Sequence, residues 1–282
     1  MKIKNNGLSD STLTTVSHKL NQIAKADANL LNPEEVKTYI ANSKVSNQAK
    51  QKLTNCYNYF VHANGLKWEK PKYKWERKIP LIPTTQNIDK VISATSRKYA
   101  TIFTILKETG LETKELETVN RAGIDAERGI INAQGCKGHN SRSIKLCPKT
   151  ADMLRAYLEK YTGNRPFPIA RRMGEQWRRT RNRLAKKLNE PQLKAIPLRN
   201  LRHYFATRTY DRTKDILLVK QLLGHKKLET TMFYTQLVTF TEDEEYTCKA
   251  TTDSKEAQNL LEHGFIYQLT TPDGLMLFKK RK

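Results

Sequence analysis

"LRHYFATRTYDRTKDILLVKQLLGHKKLETTMFYT", residues 201–235 of a 282-residue chain, sets an Arg-His pair, a Gly-His pair and a Tyr into one short amphipathic stretch. "RNLRHYFATRTY" (199–210) reads as a helix whose polar residues Arg199, Arg202 and His203 stand at its beginning, and "DILLVKQLLG" (215–224) as a second helix closed by Gly224. His225 follows that glycine, and nine residues on stands Tyr234, with Thr230 and Thr231 available to cap the short helix that carries it. Such spacing lets a loop bring the imidazole near the phenol without burying either in a core. Taken singly, a His after Gly is usually a cap and a Tyr in an apolar helix usually a core residue.

Working outward, Lys and Arg number 51 against 28 Asp and Glu, a formal net charge of +23. A surface of that sign attracts polyanions, so nucleic acid is the leading partner class and an anionic membrane surface the second. No apolar run reaches the roughly 18–20 residues that cross a bilayer, and the opening "MKIKNNGLSDSTLTT" lacks the apolar centre of a signal peptide. A soluble, cytoplasmic protein with no membrane partner is expected. Cys56, Cys136, Cys147 and Cys248 are scattered without a C-x-x-C pair, which argues against a disulfide framework and against a zinc or other metal site.

At this length two domains are expected. Residues 1–65 carry apolar positions at helical spacing, with Asn32 before Pro33 and two glutamates as a helix start and Gly65 as a stop, and predict a small helical bundle. Prolines, lysines and two tryptophans interrupt every period in "LKWEKPKYKWERKIPLIPT" (66–84), a basic linker with Trp68 and Trp75 free to pack on a domain. Residues 85–245 form the second domain: helices, then a predicted hairpin between Gly129 and Cys147 around the turn "CKGHN", then helices again. One of these, "RRMGEQWRRTRNRLAKKL", carries eight Lys or Arg between 171 and 187. A charge run is usually a solvated face. Here the density, and Trp177 among the arginines, predict a helix laid along a phosphate backbone through Arg178, Arg179, Arg181, Lys186 and Lys187. The tail, 246–282, predicts a helix and two short strands around a Pro-Asp-Gly turn. The fold class expected is mainly α with a small β-element (α+β).

On Arg202 in its R-x-x-R-H phrase, His225 in "LLGHKK" and Tyr234 in "FYT", the chain resembles the tyrosine recombinase family of phage integrases and Xer proteins. The helical bundle followed by a domain with a small β-element resembles that family's layout, and Lys137 in "GCKGHNSR" matches its hairpin lysine. The tail and "RNLRHYFAT" most resemble integrases of archaeal type. The resemblance implies a site-specific recombinase that cleaves and rejoins double-stranded DNA through a 3′-phosphotyrosine link, as a homo-tetramer on DNA, nucleoid-associated and without a cofactor. It casts Tyr234 as nucleophile, Arg202 as the fork that offsets charge on the non-bridging oxygens, and Lys137 as general acid for the 5′ hydroxyl. His225 would hold the phosphate or help take the phenolic proton. Arg199 stands where most members have His, and a basic group there still suits a phosphate. Cys136, His139, Arg142 and His203 read as neighbours or supports.

One departure is serious. The family places its first catalytic arginine in a phrase like T-G-L-R-x-x-E-L, whereas "TGLETKEL" has Glu112 there, with Glu115 matching the supporting acid. The helical neighbours Glu108, Thr109, Glu115 and Leu116 offer no cation, Lys114 points away, and Arg121 would have to fold back. A carboxylate about 5 Å from a phosphate opposes binding by about 3 kcal/mol at an effective dielectric near 20, enough to slow cleavage about a hundredfold. Two rival readings follow: a cleavage-deficient DNA-binding relative, and a type IB topoisomerase-like enzyme.

Overall fold

A computed structural model describes residues 7–76, 80–136, 138–237 and 246–281. The chain divides into two units, residues 1–78 and 79–282.

The first unit is built from α1 (Asp10–Ala24), α2 (Pro33–Asn42) and α3 (Asn47–Ala63). Each helix starts where a polar side chain accepts an otherwise unpaired N–H: Ser9 from Thr12, Asn32 from Glu35 and Ser46 from Ala49. Their apolar faces meet in a core of Ile23, Val36, Ile40, Leu53, Tyr57 and Val61. The expected linker does not begin as a free segment. Trp68 packs edge-on to Tyr57 with ring centroids 4.9 Å apart and donates to Asn58 at 3.1 Å, while the Tyr73 N–H donates to Gln51 at 2.8 Å. Trp75 is exposed.

The second unit opens with α4 (Thr85–Ser93), α5 (Arg97–Thr109) and α6 (Thr113–Thr118). An antiparallel sheet follows, β1 (Ile124–Asp125), β2 (Ile130–Ala133) and β3 (Arg142–Lys145), in that order. Its register pairs Ile131 with Ile144 and Ala133 with Arg142, which sets Arg142 at the loop end of the predicted hairpin. Then come α7 (Pro148–Lys160), α8 (Ala170–Leu188), α9 (Asn200–Thr213), α10 (Ile216–Leu223), α11 (Glu229–Met232) and a 3-10 turn over Phe233–Leu237. The core lies between α5, α7 and α8. There Trp177 is fully buried edge-on to Phe103 at 5.0 Å, and its indole donates to the Ile196 carbonyl at 2.8 Å. Trp177 therefore anchors α8 to the core and takes no part in a phosphate-facing surface. Met173, Trp177 and Thr180 share the buried face at helical spacing, which leaves the basic residues on the other.

The tail forms β4 (Tyr246–Thr251), α12 (Ser254–Glu262), β5 (Ile266–Thr270) and β6 (Met276–Arg281), with strand order β4-β6-β5. The helix and the hairpin lie where expected, with Gly274 at φ +81° in the turn. Strand β4 was not expected; it exists by pairing with the far end of β6, from Tyr246 on Arg281 to Thr251 on Met276. The fold is mainly α with two small sheets, and among the described residues no helix is long and apolar enough to cross a membrane.

Candidate active site

Arg202 lies in the first turn of α9 and is 9% exposed. Its Nη1 donates to the Gly110 carbonyl at 2.6 Å, and its Nη2 to the Leu223 carbonyl at 2.8 Å and to His225 Nε2 at 3.1 Å. Nη1 is also 3.6 Å from Glu115 Oε2. One guanidinium thus ties together the end of α5, the acid of α6 and the turn after α10. Burial pushes its pKa down, opposed by the charges of Glu115, Tyr234 and Glu112.

Gly224 ends α10 at φ +71°, and His225 follows it into the interior. Arginine can only donate, so His225 accepts at Nε2 and carries its proton on Nδ1, directed at Thr231 Oγ1 2.9 Å away. Burial first, then the charges of Arg202, His139 and Arg142, push its pKa down to about 4. His225 is a neutral imidazole near pH 7 rather than a cation.

Tyr234 sits at the start of the 3-10 turn, 4% exposed, its ring packed among Ala206, Val219 and Leu223 of α9 and α10. Its ring is nearly parallel to that of His225, 6.5 Å away between centroids. The phenolic Oη, however, lies 3.1 Å from His203 Nδ1. His203, which the sequence marked only as a support, is thus one group within hydrogen-bond reach of the phenolic oxygen.

Glu115 is the hub, at 0% exposure. Its carboxylate meets His139 Nδ1 at 3.1 Å and Arg142 through two parallel bonds of 2.9 and 3.0 Å. Burial would raise its pKa, yet the Arg142 bonds, the Glu112 N–H and the charges of Arg142 and Arg202 together hold it below the ordinary carboxylate value. Glu112 stands at the N-cap of α6 in a capping box with Glu115, which accepts the Glu112 N–H at 2.8 Å. Arg121 does not fold back; it donates to the carbonyls of Leu158 and Tyr161. Among the described residues, β3 brings the cation Arg142 to the Glu115 carboxylate of this turn. A signal for it was present, because period-two alternation puts Arg142 on the same face as buried Ile144.

Arg199 is exposed at the N-cap of α9, one turn before Arg202. Lys137 lies outside the described residues. On α8, Arg178, Arg179, Lys186 and Lys187 are exposed, while Arg181 is half-buried with Nε and Nη1 unpaired among the described residues. Among the described residues no group of three His, Cys, Asp or Glu side chains is placed to hold a metal.

Parts of the chain are similar in sequence to proteins named tyrosine recombinases. The chain is 30% identical over 171 residues to the tyrosine recombinase XerA of Thermococcus kodakarensis, covering 58% of this chain and 61% of that protein. It is 34% identical over 155 residues to XerA of Saccharolobus solfataricus, covering 54% and 50%. The matches therefore span about half to three-fifths of those relatives' lengths. In fold, the chain is similar to a Tn1549 transposon integrase in complex with transposon right end DNA, with TM-score 0.63, 15% identity and coverage of 90% of this chain and 94% of that one. It is also similar to a lambda integrase dimer bound to a COC' core site, with TM-score 0.61, 14% identity and coverage of 85% and 93%. The phage integrase family pattern matches residues 83–239, the segment that holds Arg202, His225 and Tyr234, and the chain belongs to that family.

Proposed function

We propose that the protein is a site-specific DNA recombinase that cuts one strand at a time through a 3′-phosphotyrosine link, working as a tetramer on DNA in the nucleoid. The observation that carries this is the convergence of Arg202, His225 and the Tyr234 phenol, with rings and guanidinium in one connected cluster. The names of the relatives, the family match and the net charge of +23 support it.

In this reading Tyr234 Oη attacks the phosphorus in line with the departing 5′ oxygen. Its proton passes toward His203 Nδ1, and the new phosphotyrosine keeps the energy of the broken ester for rejoining. Arg202, 9% exposed, meets the charge that grows on a non-bridging oxygen. Protonation of the 5′ oxygen falls to Lys137 by resemblance. Residues of α9 and α10 pack on the Tyr234 ring, with its Oη 3.1 Å from His203 Nδ1. Exposed Arg178, Arg179, Lys186 and Lys187, with Arg181 beside them, supply backbone contacts along α8.

Adduct capture tests this on DNA of any sequence. Protein is mixed with fragmented DNA from its source and with a random duplex library, reactions are quenched in SDS, and DNA attached to protein is sequenced at the junction. Wild type should yield adducts at one recurrent sequence, and Tyr234→Phe none. Binding without adducts at any pH would replace the proposal with the non-cleaving relative, and plasmid relaxation without a recurrent junction would favour the topoisomerase-like enzyme.

A further inference from the structure

The family's first arginine has no counterpart at position 112, and no helical neighbour replaces it. We propose that Arg142 supplies that contact: its guanidinium, entering from β3 through the hairpin, binds the scissile phosphodiester beside Arg202. This rests on the recombinase reading above.

Observations on Arg142 and its surroundings point the same way. Arg142 and Arg202 meet the same carboxylate, Glu115, at 2.9 and 3.6 Å, so two guanidiniums share one acid in the connected cluster that ends at Tyr234. The Arg142 side chain is only 8% exposed. Its Nη1 is bound by Glu115 and the Asn140 carbonyl and its Nη2 by Glu115, but its buried Nε has no partner among the described residues. An unpaired N–H on a buried cation is costly, and a phosphate oxygen is the acceptor that this family's substrate brings.

The chain also makes room for this guanidinium at the signature turn itself. A Cβ on Gly224 would lie 2.6 Å from Arg142 Nη1 and 2.8 Å from the Asn140 carbonyl, so the glycine of "LLGH" is needed for Arg142 to pass. The Asn140 N–H returns a bond of 2.8 Å to the Gly224 carbonyl, which pins the hairpin loop to the turn that presents His225. Arg142 also lines a cavity of about 450 Å³ with Asn140, Ser141, Ser143 and Gln221.

The bland alternative is that Arg142 only neutralises Glu115. The two differ in how they respond to charge on the substrate. Single-turnover adduct formation is measured on a duplex carrying the junction found by adduct capture, with either a normal phosphate or a neutral methylphosphonate at the scissile position. On phosphate, Arg142→Ala should slow adduct formation by about 10²–10³-fold, the usual cost of losing one donor to a developing oxyanion, while DNA affinity stays within about threefold because many other phosphates remain held. On methylphosphonate the penalty should fall below about tenfold, and adding Glu112→Arg to Arg142→Ala should recover at least about tenfold on phosphate. If Arg142→Ala does not fold, Arg142→Lys, which keeps the charge on Glu115 but loses the fork, is compared on both substrates and should show the same contrast. Equal losses on the two substrates, or a variant within about threefold of wild type on phosphate, overturn the proposal alone. Absence of adducts from wild type overturns the recombinase reading and this proposal with it.

Discussion

His225 should make the protein lose stability as the pH falls from 6.5 to 4. Its imidazole accepts from Arg202 at 3.1 Å, so a proton on Nε2 would remove an acceptor and set a second cation against the guanidinium in a site only 6% exposed. The folded pKa of about 4 lies below the ordinary 6.5. Between those values the unfolded chain takes a proton that the folded chain refuses, so the stability is complete above 6.5 and gone below 4. The slope is about 1.4 kcal/mol per pH unit, which makes the whole effect about 3 kcal/mol and the loss by pH 5 about 2 kcal/mol; with so little solvent at the ring, screening removes little of it. Urea unfolding of wild type and His225→Gln at pH 7 and pH 5 isolates this group, because the other titrations cancel in the comparison. Wild type should lose about 2 kcal/mol more than the variant over that interval. An NMR titration that places His225 near 6.5, or equal losses in the two proteins, would refute the neutral-imidazole assignment and with it the proton on Nδ1.

Other outcomes follow from the same geometry. Glu115→Gln leaves two guanidiniums without their shared buried carboxylate and should destabilise the second unit by about 3–5 kcal/mol, read as a fall in urea midpoint. Gly224→Ala meets both a left-handed backbone and the Arg142 guanidinium; it should cost about 1–2 kcal/mol from the backbone alone and displace Arg142, so adduct formation falls along with the midpoint. Glu112→Arg in the wild-type background should raise the adduct rate by less than about tenfold, because Arg142 already meets the phosphate; a gain near the full hundredfold expected from local charge alone would count against Arg142. On α8, Trp177→Ala should cost about 3–5 kcal/mol of stability, whereas Arg178→Ala with Lys186→Ala should leave stability unchanged and flatten the slope of log affinity against log salt by about 2.

What sequence alone determined are features set within a turn or two of chain. Asn32 announces a helix start because a cap acts on an N–H three residues away, and Gly224 announces a stop because a left-handed residue ends a helix. Arg202, His225 and Tyr234 were legible as a set because their intervals match those of the family the chain resembles. What only the tertiary structure decided are contacts whose partners are distant along the chain. The helix face around Glu112 holds no cation, but Arg142 arrives from thirty residues further on, through a register that pairs it with Ala133. Strand β4 was invisible because its partner β6 lies at the end of the chain. His203 rather than His225 faces the phenol because the packing of the last helical turns on α9 aims that ring, and no local propensity encodes how two helices cross.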